Sequence, residues 1–238
     1  DPPKKTAKEA IIALKKHGVD TVVLTGDSEG VAINVCKKVG ISTENSLTGK
    51  DIETITDDEL KSKVQTCHLY SKLSPLQKQR IVRIYQEQGN TVGYMGDGIN
   101  DSPPLKQADV GISVDTAVDI AKETADIILL EKDLNVLEKA VLTGRKTFTN
   151  ILKYLKMATS GNFGNMLSII IASLFLPFLP MLPIHILIQN LLNDFAQIGM
   201  PFDNVDQEYL QKPKKWNTKE LKNFMFIFGI ISTILDIL

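Results

Sequence analysis

Residues 157–193 form a long stretch that contains no Asp, Glu, Lys or Arg. About 20 mainly apolar helical residues are enough to cross a bilayer, so this stretch is longer than one crossing needs. Residues 1–150, in contrast, carry charged side chains throughout and have the character of a soluble α/β domain. The formal net charge of −1 averages over these unlike halves, and it therefore says nothing about binding partners.

The first half of the chain alternates short β-rich runs with amphipathic helical patterns. The predicted strands lie at 20–24, 66–70, 91–95, 110–114 and 126–130. The predicted helices lie at 5–17, 28–39, 74–89 and 116–123. Such alternation predicts a mainly parallel, Rossmann-like sheet with helices on both faces. Ligands of these sheets bind beyond the carboxyl ends of the strands, so the residues that follow each strand are the candidate site.

The strongest candidate is the segment 92–101, which reads VGYMGDGIND. Its glycines, Gly96 and Gly98, allow the backbone to turn sharply and to approach a ligand closely. Asp97 and Asp101 place two carboxylates at the strand end, which suits a hard cation held beside a phosphate. Asn100 and Asp101 are placed to open the next helix. The alternative is an ordinary strand-to-helix turn that carries acids.

Two further sites in this half are suited to phosphate. Thr25, Gly26 and Asp27 follow a strand and precede a helix, where a hydroxyl and backbone N–H groups converge; the alternative is a capped turn. Lys78 lies in the first turn of the helix at 74–89, which Ser74 is predicted to cap. A cation there opposes the helix dipole, which indicates that Lys78 serves an anion outside the helix. The alternative is a solvated lysine.

Several other polar residues are predicted to be structural. Residues 50–60 are acidic and are predicted to form a solvated face, with Asp57 or Asp58 capping a helix. His68 is predicted to be a structural histidine inside a strand. Cys36 and Cys67 are far apart and lack metal-ligand spacing, so we expect both to be reduced and structural.

The second half is predicted to be helical and to enter a membrane. A helical pattern runs from 134 to about 175, basic in its first half and apolar in its second. Prolines at 177, 180 and 183 interrupt it, a second span is predicted from about 182 to 200, and a third apolar stretch begins near 224. Basic residues flank both ends of this hairpin, which predicts that both ends are cytoplasmic. These residues are Arg145, Lys146, Lys153, Lys156, Lys212, Lys214, Lys215, Lys219 and Lys222.

Polar side chains inside the predicted spans are candidate cation ligands. Asn162 and Asn165 share one helix face, and Gly161 and Gly164 beside them permit close helix contact. Asn190, Asn193 and Asp194 cluster with Gln189 in the second span. A carboxylate at that depth costs about 2.5–3.5 kcal/mol on insertion scales, so it normally faces an ion pathway or a partner. For the asparagines, hydrogen bonding between helices is the alternative.

Four strings occur in an order and spacing that resemble the P-type cation-transporting ATPases of the haloacid dehalogenase-like superfamily. They are DPPK at 1–4, TGD at 25–27, SPLQK at 74–78 and GDGINDSPPLKQADVGI at 96–112. The stretch 179–217 is most similar to the magnesium-transporting branch, through MPFDNVD at 200–206 and QKPKKW at 211–216. Other branches often carry a Glu at the position of Asn165, which argues against a calcium pump.

The resemblance implies roles for individual residues. Asp97 and Asp101 would bind the catalytic Mg²⁺, with Asn100 helping to orient that shell. Thr25, Gly26 and Asp27 would contact the phosphoryl group, and Lys78 would neutralise it. ATP would be the substrate and a divalent cation, Mg²⁺ moving into the cytoplasm, the cargo. The transported ion would lie among Asn162, Asn165, Asn190, Asn193 and Asp194.

The resemblance also implies a domain order. A partial phosphorylation domain at 1–133 is followed by a stalk helix at 134–156, two transmembrane helices at 157–200, a cytoplasmic loop at 201–222 and the start of a third span at 223–238. We expect a multi-pass protein of the plasma membrane with a cytoplasmic phosphorylation domain, in contact with lipid and with the remainder of the pump. No nucleic-acid partner is expected.

The DKTGT motif of the family, which carries the phosphorylated aspartate, does not occur in this sequence. We therefore expect the chain to be an internal or C-terminal piece of a pump, inactive by itself. The alternatives are a membrane-anchored phosphatase of the same superfamily, a non-catalytic or regulatory fragment, and a P-type pump for Ca²⁺ or H⁺.

Overall fold

The computed structural model describes residues 6–131, 133–211 and 213–237. The DPPK string at 1–4 lies outside the described residues. The chain divides into two compact units, Asp1–Ala140 and Val141–Leu238. The domain boundaries predicted from the sequence stay a prediction.

The first unit is an α/β fold whose short strands alternate with helices. Its strands are β1 (Val23–Leu24), β2 (Leu47–Thr48), β3 (Leu69–Ser71), β4 (Gly93–Met95), β5 (Val110–Val114) and β6 (Ile127–Leu129). Its helices are α1 (Ala7–Lys16), α2 (Glu29–Val39), α3 (Gly49–Thr54), α4 (Asp57–Lys63), α5 (Pro75–Glu87), α6 (Ser102–Gln107) and α7 (Asp119–Thr124), with a 3-10 turn at Ile99–Asp101 before α6. The next helix, α8 (Leu134–Phe175), begins in this unit and ends in the second.

Every strand pair in the described residues is parallel, as the sequence predicted, but the strands form two sheets. One has the order β1-β3-β2 and the other the order β4-β5-β6. Leu24 in β1 packs against the apolar cores of both sheets, so these cores are continuous. The parallel α/β prediction is confirmed, and the single sheet is replaced by two three-stranded ones.

Helix α5 forms where the sequence predicted it, and it supplies a large part of the core. The Ser74 hydroxyl accepts a hydrogen bond from the Gln77 N–H, and the Gln77 side chain accepts one from the Ser74 N–H. This capping box satisfies donors that the helix would otherwise leave unpaired. Ile81 and Ile84 on its inner face are fully buried. The capped start of α5 is therefore fixed, which matters because Lys78 lies one turn along it.

The acids of residues 50–60 are mostly exposed, as the predicted solvated face requires, but the same segment also packs on the core. This segment forms α3 and most of α4, and it buries Ile52 and Leu60 completely. Thr56, and not Asp57 or Asp58, caps α4, because its hydroxyl and the Glu59 carboxylate form a capping box. The high density of acids hid two apolar residues eight positions apart that pack on the core from different helices.

The second unit contains α9 (Pro183–Gln197), α10 (Gln207–Gln211), α11 (Thr218–Ile237), a 3-10 turn at Met200–Phe202 and most of α8. Helices α8 and α11 approach closely at Gly164 and Gly229. A methyl group on Gly229 would lie 2.5 Å from the Phe163 ring, and one on Gly164 would lie 3.0 Å from Ser232. The close contact predicted at Gly164 is confirmed, whereas Gly161 has open space around it.

No helix within residues 6–131, 133–211 and 213–237 combines the length and the mean hydropathy that a membrane crossing needs. Helix α9 has 15 residues, which at 1.5 Å per residue span only about 22 Å of a hydrocarbon core of roughly 30 Å. Polar residues interrupt the apolar half of α8, among them Ser160 and Asn165. The spans predicted at 157–200 and from 223 are therefore not confirmed by these helices.

Candidate functional site

Gly96 fixes the backbone at the carboxyl end of β4. Its N–H donates to the carbonyl of Ile112, and its carbonyl accepts a 2.9 Å hydrogen bond from the Ser113 hydroxyl. A methyl group at this position would lie 2.4 Å from Cβ of Asp101. Only glycine therefore lets the strand end pack directly against the Asp101 side chain.

Asp101 lies at the centre of a cluster of hydrogen bonds. Its Oδ1 accepts one from Lys78 Nζ and one from the Tyr94 hydroxyl, both at 2.8 Å. Its Oδ2 accepts a third, at 3.2 Å, from the Gly98 N–H. The Lys78 and Asp101 side chains are only 10% and 14% exposed, so this ion pair is largely shielded from water. We call Lys78, Tyr94 and Asp101 the Asp101 cluster.

The cluster keeps Asp101 ionised. Burial acts to raise the pKa of this carboxyl, but the hydrogen bonds from Lys78 and Tyr94 outweigh burial and leave the pKa below its ordinary value. Burial, and then the negative charge of Asp101, raise the pKa of the Tyr94 hydroxyl. Tyr94 therefore stays protonated and acts as a hydrogen-bond donor to Asp101 at neutral pH.

The structure gives Lys78 a partner within the protein. The sequence predicted that this lysine binds an anion outside its helix. The carboxylate of Asp101 is such an anion, and the binding of a phosphoryl group by Lys78 stays a prediction. An ammonium group has three donors, so the pair leaves capacity for a further acceptor. The sequence reasoning missed Tyr94. Its signal was a phenol at an inward-facing position two residues before Gly96, in a strand otherwise read as apolar.

Asp97 lies beside an open cavity of about 320 Å³ at the carboxyl ends of the second sheet. Its side chain is exposed, and its carbonyl accepts a hydrogen bond from the Val118 N–H. Asp133, a carboxylate that the sequence reasoning did not single out, lines the same cavity and accepts a 3.4 Å hydrogen bond from the Thr6 hydroxyl. The described lining residues are Thr6, Ala7, Met95, Gly96, Asp97, Val114, Leu129, Asp133 and Leu134.

The loop at 25–27 is tied to the segment that precedes α5. The Leu73 N–H donates to the Thr25 carbonyl, and the Lys72 N–H donates to the Asp27 carbonyl. Within the loop, the Thr25 hydroxyl oxygen accepts a 3.0 Å hydrogen bond from the Asp27 N–H. Gly26 and Asp27 are exposed. The fold thus holds this loop at the start of the helix that carries Lys78.

The donor set fits a hard divalent cation that is only partly ligated by protein. Among the described residues, no group of three or more His, Cys, Asp or Glu side chains is placed to hold a metal. Mg²⁺ commonly binds through one or two carboxylates and completes its shell with water and phosphate oxygens. Asp97 is accessible for this role. Asp101 already accepts three hydrogen bonds, and a carboxylate has about four acceptor positions, so one remains. Asn100, exposed in the 3-10 turn, lies between them in the chain.

In the second unit, Asp194 lines a cavity of about 470 Å³. The structure does not bring the five predicted transport residues together in this cavity: Asn162, Asn165, Asn190 and Asn193 are absent from its described lining. Asn162 and Asn190 are exposed, whereas Asn165 and Asn193 are half-buried. The five-residue ion site stays a prediction. Asn150 and Gln197, which the sequence reasoning did not select, share the cavity with Asp194.

The first unit combines parallel sheets with carboxylates that follow its strand ends, and a family model shows that this unit is haloacid dehalogenase-like. The model of the haloacid dehalogenase-like hydrolase family matches residues 1–109, and the model described as cation transporting ATPase, C-terminus, matches residues 178–238.

The curated relatives identify the protein class more closely than the family models do. Over all 238 residues, the chain is 57% identical to "Magnesium-transporting ATPase, P-type 1" of Escherichia coli strain K12 and 56% identical to the protein of that name from Salmonella typhimurium strain LT2. It is 33% identical to "Calcium-transporting ATPase 1" of Bacillus cereus, with all of the chain covered and 28% of that relative. The chain spans about a quarter, 26%, of the length of the two magnesium-transporting relatives. It belongs to the P-type cation-transporting ATPases.

Proposed function

We propose that this chain is part of an ATP-driven P-type pump that imports Mg²⁺ through a phosphorylated aspartate located outside the chain. The observation that carries the proposal is the shielded ion pair between Lys78 and Asp101. Asp101 belongs to the same strand-end segment, 92–101, as the exposed carboxylate of Asp97. The 57% identity to a relative named as magnesium-transporting supports the choice of cargo.

The chemistry we propose at this site is phosphoryl transfer. Such transfer depends mainly on positioning and on the neutralisation of charge, with little covalent chemistry contributed by the protein. Asp97, with the remaining acceptor position of Asp101, would hold the catalytic Mg²⁺. When bound there, Mg²⁺ supplies positive charge that offsets the charge on the phosphoryl oxygens.

The remaining residues of the site would position the groups that react. Lys78 and Tyr94 hold the Asp101 carboxylate in one orientation, and Lys78 adds a positive charge nearby. The oxygen of Thr25 accepts from the Asp27 N–H, which leaves the Thr25 hydroxyl hydrogen to donate to a phosphoryl oxygen. Gly26 lets that group approach the backbone closely. Asn100 would orient water around the metal.

We further propose that the second unit lies in the plasma membrane, with the phosphorylation domain in the cytoplasm. Its helices leave large apolar side chains exposed: Leu174 is 78% exposed, Phe175 81% and Leu187 63%. Contact with lipid, or with further helices of the complete pump, would cover these side chains. The transported ion would be bound by Asp194 and the four asparagines named with it above. Helix α8, whose residues belong to both units, would carry the coupling between phosphorylation and transport.

A calcium pump is the second candidate, because relatives named as calcium-transporting also match the chain. Their identities, 33% and 31%, are well below the 57% found with the magnesium-transporting relative, so we place Mg²⁺ first.

The test uses inside-out membrane vesicles that contain the complete pump polypeptide with this chain in it. An indicator in the lumen reports Mg²⁺, and ATP is added outside, on the cytoplasmic face. We expect luminal Mg²⁺ to fall after ATP is added, and we expect Asp97→Asn to abolish the fall. Asp119→Asn is the matched control, because Asp119 is a highly exposed carboxylate on α7 whose ion pair is with its helix neighbour Lys122. No ATP-dependent change, a fall in luminal Ca²⁺ instead, or full activity in Asp97→Asn would contradict the proposal.

A further inference from the structure

The two carboxylate oxygens of Asp101 face different neighbours. Oδ1 lies on the side of Lys78 and Tyr94, and it accepts a hydrogen bond from each of them. Oδ2 lies on the side of the loop at 96–98, where it accepts from the Gly98 N–H. A methyl group on Gly96 would lie 2.9 Å from Oδ2. Because Gly96 and Asp97 both line the 320 Å³ cavity, Oδ2 is the oxygen on the side of the loop that carries Asp97.

The hydrogen bonds to Oδ1 use both of its acceptor positions. A carboxylate oxygen has about two such positions, and the bonds from Lys78 and Tyr94 are both 2.8 Å long. Tyr94 is 8% exposed and the Lys78 side chain 10%, so water does not readily displace either donor. Oδ2 accepts one hydrogen bond from the described residues and keeps one position free. Asp101 can therefore offer a metal ion a single oxygen.

A carboxylate that is limited to one oxygen discriminates between hard divalent cations. Mg²⁺ requires a near-ideal octahedral shell and usually fills most of it with water and phosphate oxygens. Ca²⁺ takes six to eight oxygens and often binds a carboxylate through both of its oxygens. Withholding the second oxygen therefore costs Ca²⁺ a ligand that Mg²⁺ does not need, and specificity can be obtained by withholding a contact from the competitor.

Lys78 and Tyr94 contribute to this arrangement in different ways. The ammonium group of Lys78 balances the charge of the shielded carboxylate. The phenol of Tyr94 is neutral, so it leaves the charge unchanged and affects the number of free acceptor positions on Oδ1. Removing the Tyr94 hydroxyl would keep the ion pair and would free one of those positions. The carboxylate could then turn so that both oxygens reach one ion.

We propose that Tyr94 is a positioning residue that limits Asp101 to one metal-binding oxygen, and that it thereby makes the catalytic metal site prefer Mg²⁺ to Ca²⁺. The presence of a catalytic metal at Asp97 and Asp101 is taken from the proposed function. The cation preference assigned to Tyr94 rests on the three hydrogen bonds of Asp101 and on the side that each oxygen faces.

The test is a calorimetric titration of the full chain in detergent, with Mg²⁺ and Ca²⁺ in separate experiments. All proteins carry Asp194→Asn, which removes the carboxylate proposed to bind the transported ion. Adding Asp97→Asn identifies the binding that belongs to the strand-end site. Tyr94→Phe removes the hydroxyl and keeps the ring, and Tyr94→Met removes the hydroxyl in a second way, so the result does not depend on one variant.

Tyr85→Phe is the matched control, because it also removes a tyrosine hydroxyl from the first unit. That hydroxyl donates to backbone carbonyls and makes no contact with Asp101 in the described chain. Resistance of the buried thiols of Cys36 and Cys67 to a thiol reagent without urea shows that the first unit of each protein is folded before titration.

We expect Tyr94→Phe to tighten Ca²⁺ binding on the order of tenfold, the change expected for gaining one polar contact to a charged group. Mg²⁺ binding should be nearly unchanged, and Tyr85→Phe should alter neither. The same ratio of Mg²⁺ to Ca²⁺ affinity in Tyr94→Phe as in the parent, or an equal shift in Tyr85→Phe, would overturn the role of Tyr94 alone. Binding that does not depend on Asp97 would overturn the metal site of the proposed function and this role with it.

Discussion

Replacing Tyr94 with phenylalanine removes one hydroxyl group from the Asp101 cluster and leaves the aromatic ring in place. The lost hydrogen bond is 2.8 Å long and ends on a carboxylate that is only 14% exposed. Tyr94 itself is 8% exposed, so water does not readily replace the hydroxyl. Hydrogen bonds to charged groups contribute about 1.5–3 kcal/mol, and we expect Tyr94→Phe to lower the free energy of unfolding at neutral pH by that amount.

The loss should depend on pH, and its sign follows from the direction of the Asp101 shift. The pKa of Asp101 is lowered in the folded protein, so Asp101 contributes stability above its unfolded pKa and loses that contribution as pH falls through the folded pKa. The variant should raise the folded pKa, because it loses a hydrogen bond that favours the ionised carboxylate. The difference between the parent and Tyr94→Phe should therefore be largest at neutral pH, and it should shrink as the pH falls below the unfolded pKa of about 3.9 and through the lower folded pKa.

Buried cysteines provide the assay. Cys36 and Cys67 are the two cysteines of the chain, and both are buried in the first unit, so their labelling in urea reports the unfolding of that unit. A disulfide reagent such as dithiodipyridine, which reacts in acid, allows the comparison at pH 7 and at about pH 3.

Tyr85→Phe is the matched control for this prediction. The Tyr85 hydroxyl donates to the neutral carbonyls of Val64 and Cys67, so its loss should cost about 1 kcal/mol at either pH. The reasoning would be refuted if Tyr94→Phe lost the same stability at pH 7 and at about pH 3.

Three other substitutions test the packing and the charges. Gly96→Ala should destabilise the first unit by about 1–3 kcal/mol in the same assay, because the added methyl group would clash with the Asp101 side chain. Gly98→Ala should cost less, because the nearest atom outside the adjoining residues would lie 3.5 Å from its methyl group. Lys78→Met should cost about 3–5 kcal/mol, because the largely shielded carboxylate of Asp101 loses its counter-charge, and combining it with Asp101→Asn should recover part of that loss. Gly229→Ala should destabilise the second unit by about 1–3 kcal/mol, measured from Trp216 fluorescence in urea, because α8 and α11 would be forced apart.

Two controls distinguish these effects from nonspecific ones. Gly161→Ala on α8 has nothing within 4 Å of the added methyl group, and it should leave the second unit at least as stable as the parent. Equal effects at Gly161 and Gly229 would show that helix contact is not what limits these glycines. A double variant of Lys78 and Asp101 that loses the full sum of the single effects would show that the two side chains do not interact.

Local signals predicted much of the fold. The Ser74 cap of α5, the bounds of β5 and the bounds of α8 follow from patterns contained within a few neighbouring residues. Gly40 ends α2 with a φ of +82°, which the change from an apolar helix pattern to glycine indicated. These features are readable because the residues that decide them are adjacent in the chain.

The features that could not be predicted depend on contacts that no local pattern of residues shows. Tyr94 became a functional candidate only when its hydroxyl was found on Asp101, seven residues later. Short helices around Ile52 and Leu60 were missed because their apolar residues are single positions among acids. Asn150 and Gln197 lie 47 positions apart, and only the structure shows that both line the cavity beside Asp194.

The most direct test of the central claim is transfer of labelled phosphate from ATP to the complete pump polypeptide that contains this chain. The account predicts that Mg²⁺ and ATP label the parent protein, and that Asp97→Asn lowers the rate of labelling by about a hundredfold or more. Labelling of Asp97→Asn at the rate of the parent would contradict the claim that this strand-end carboxylate takes part in phosphoryl transfer.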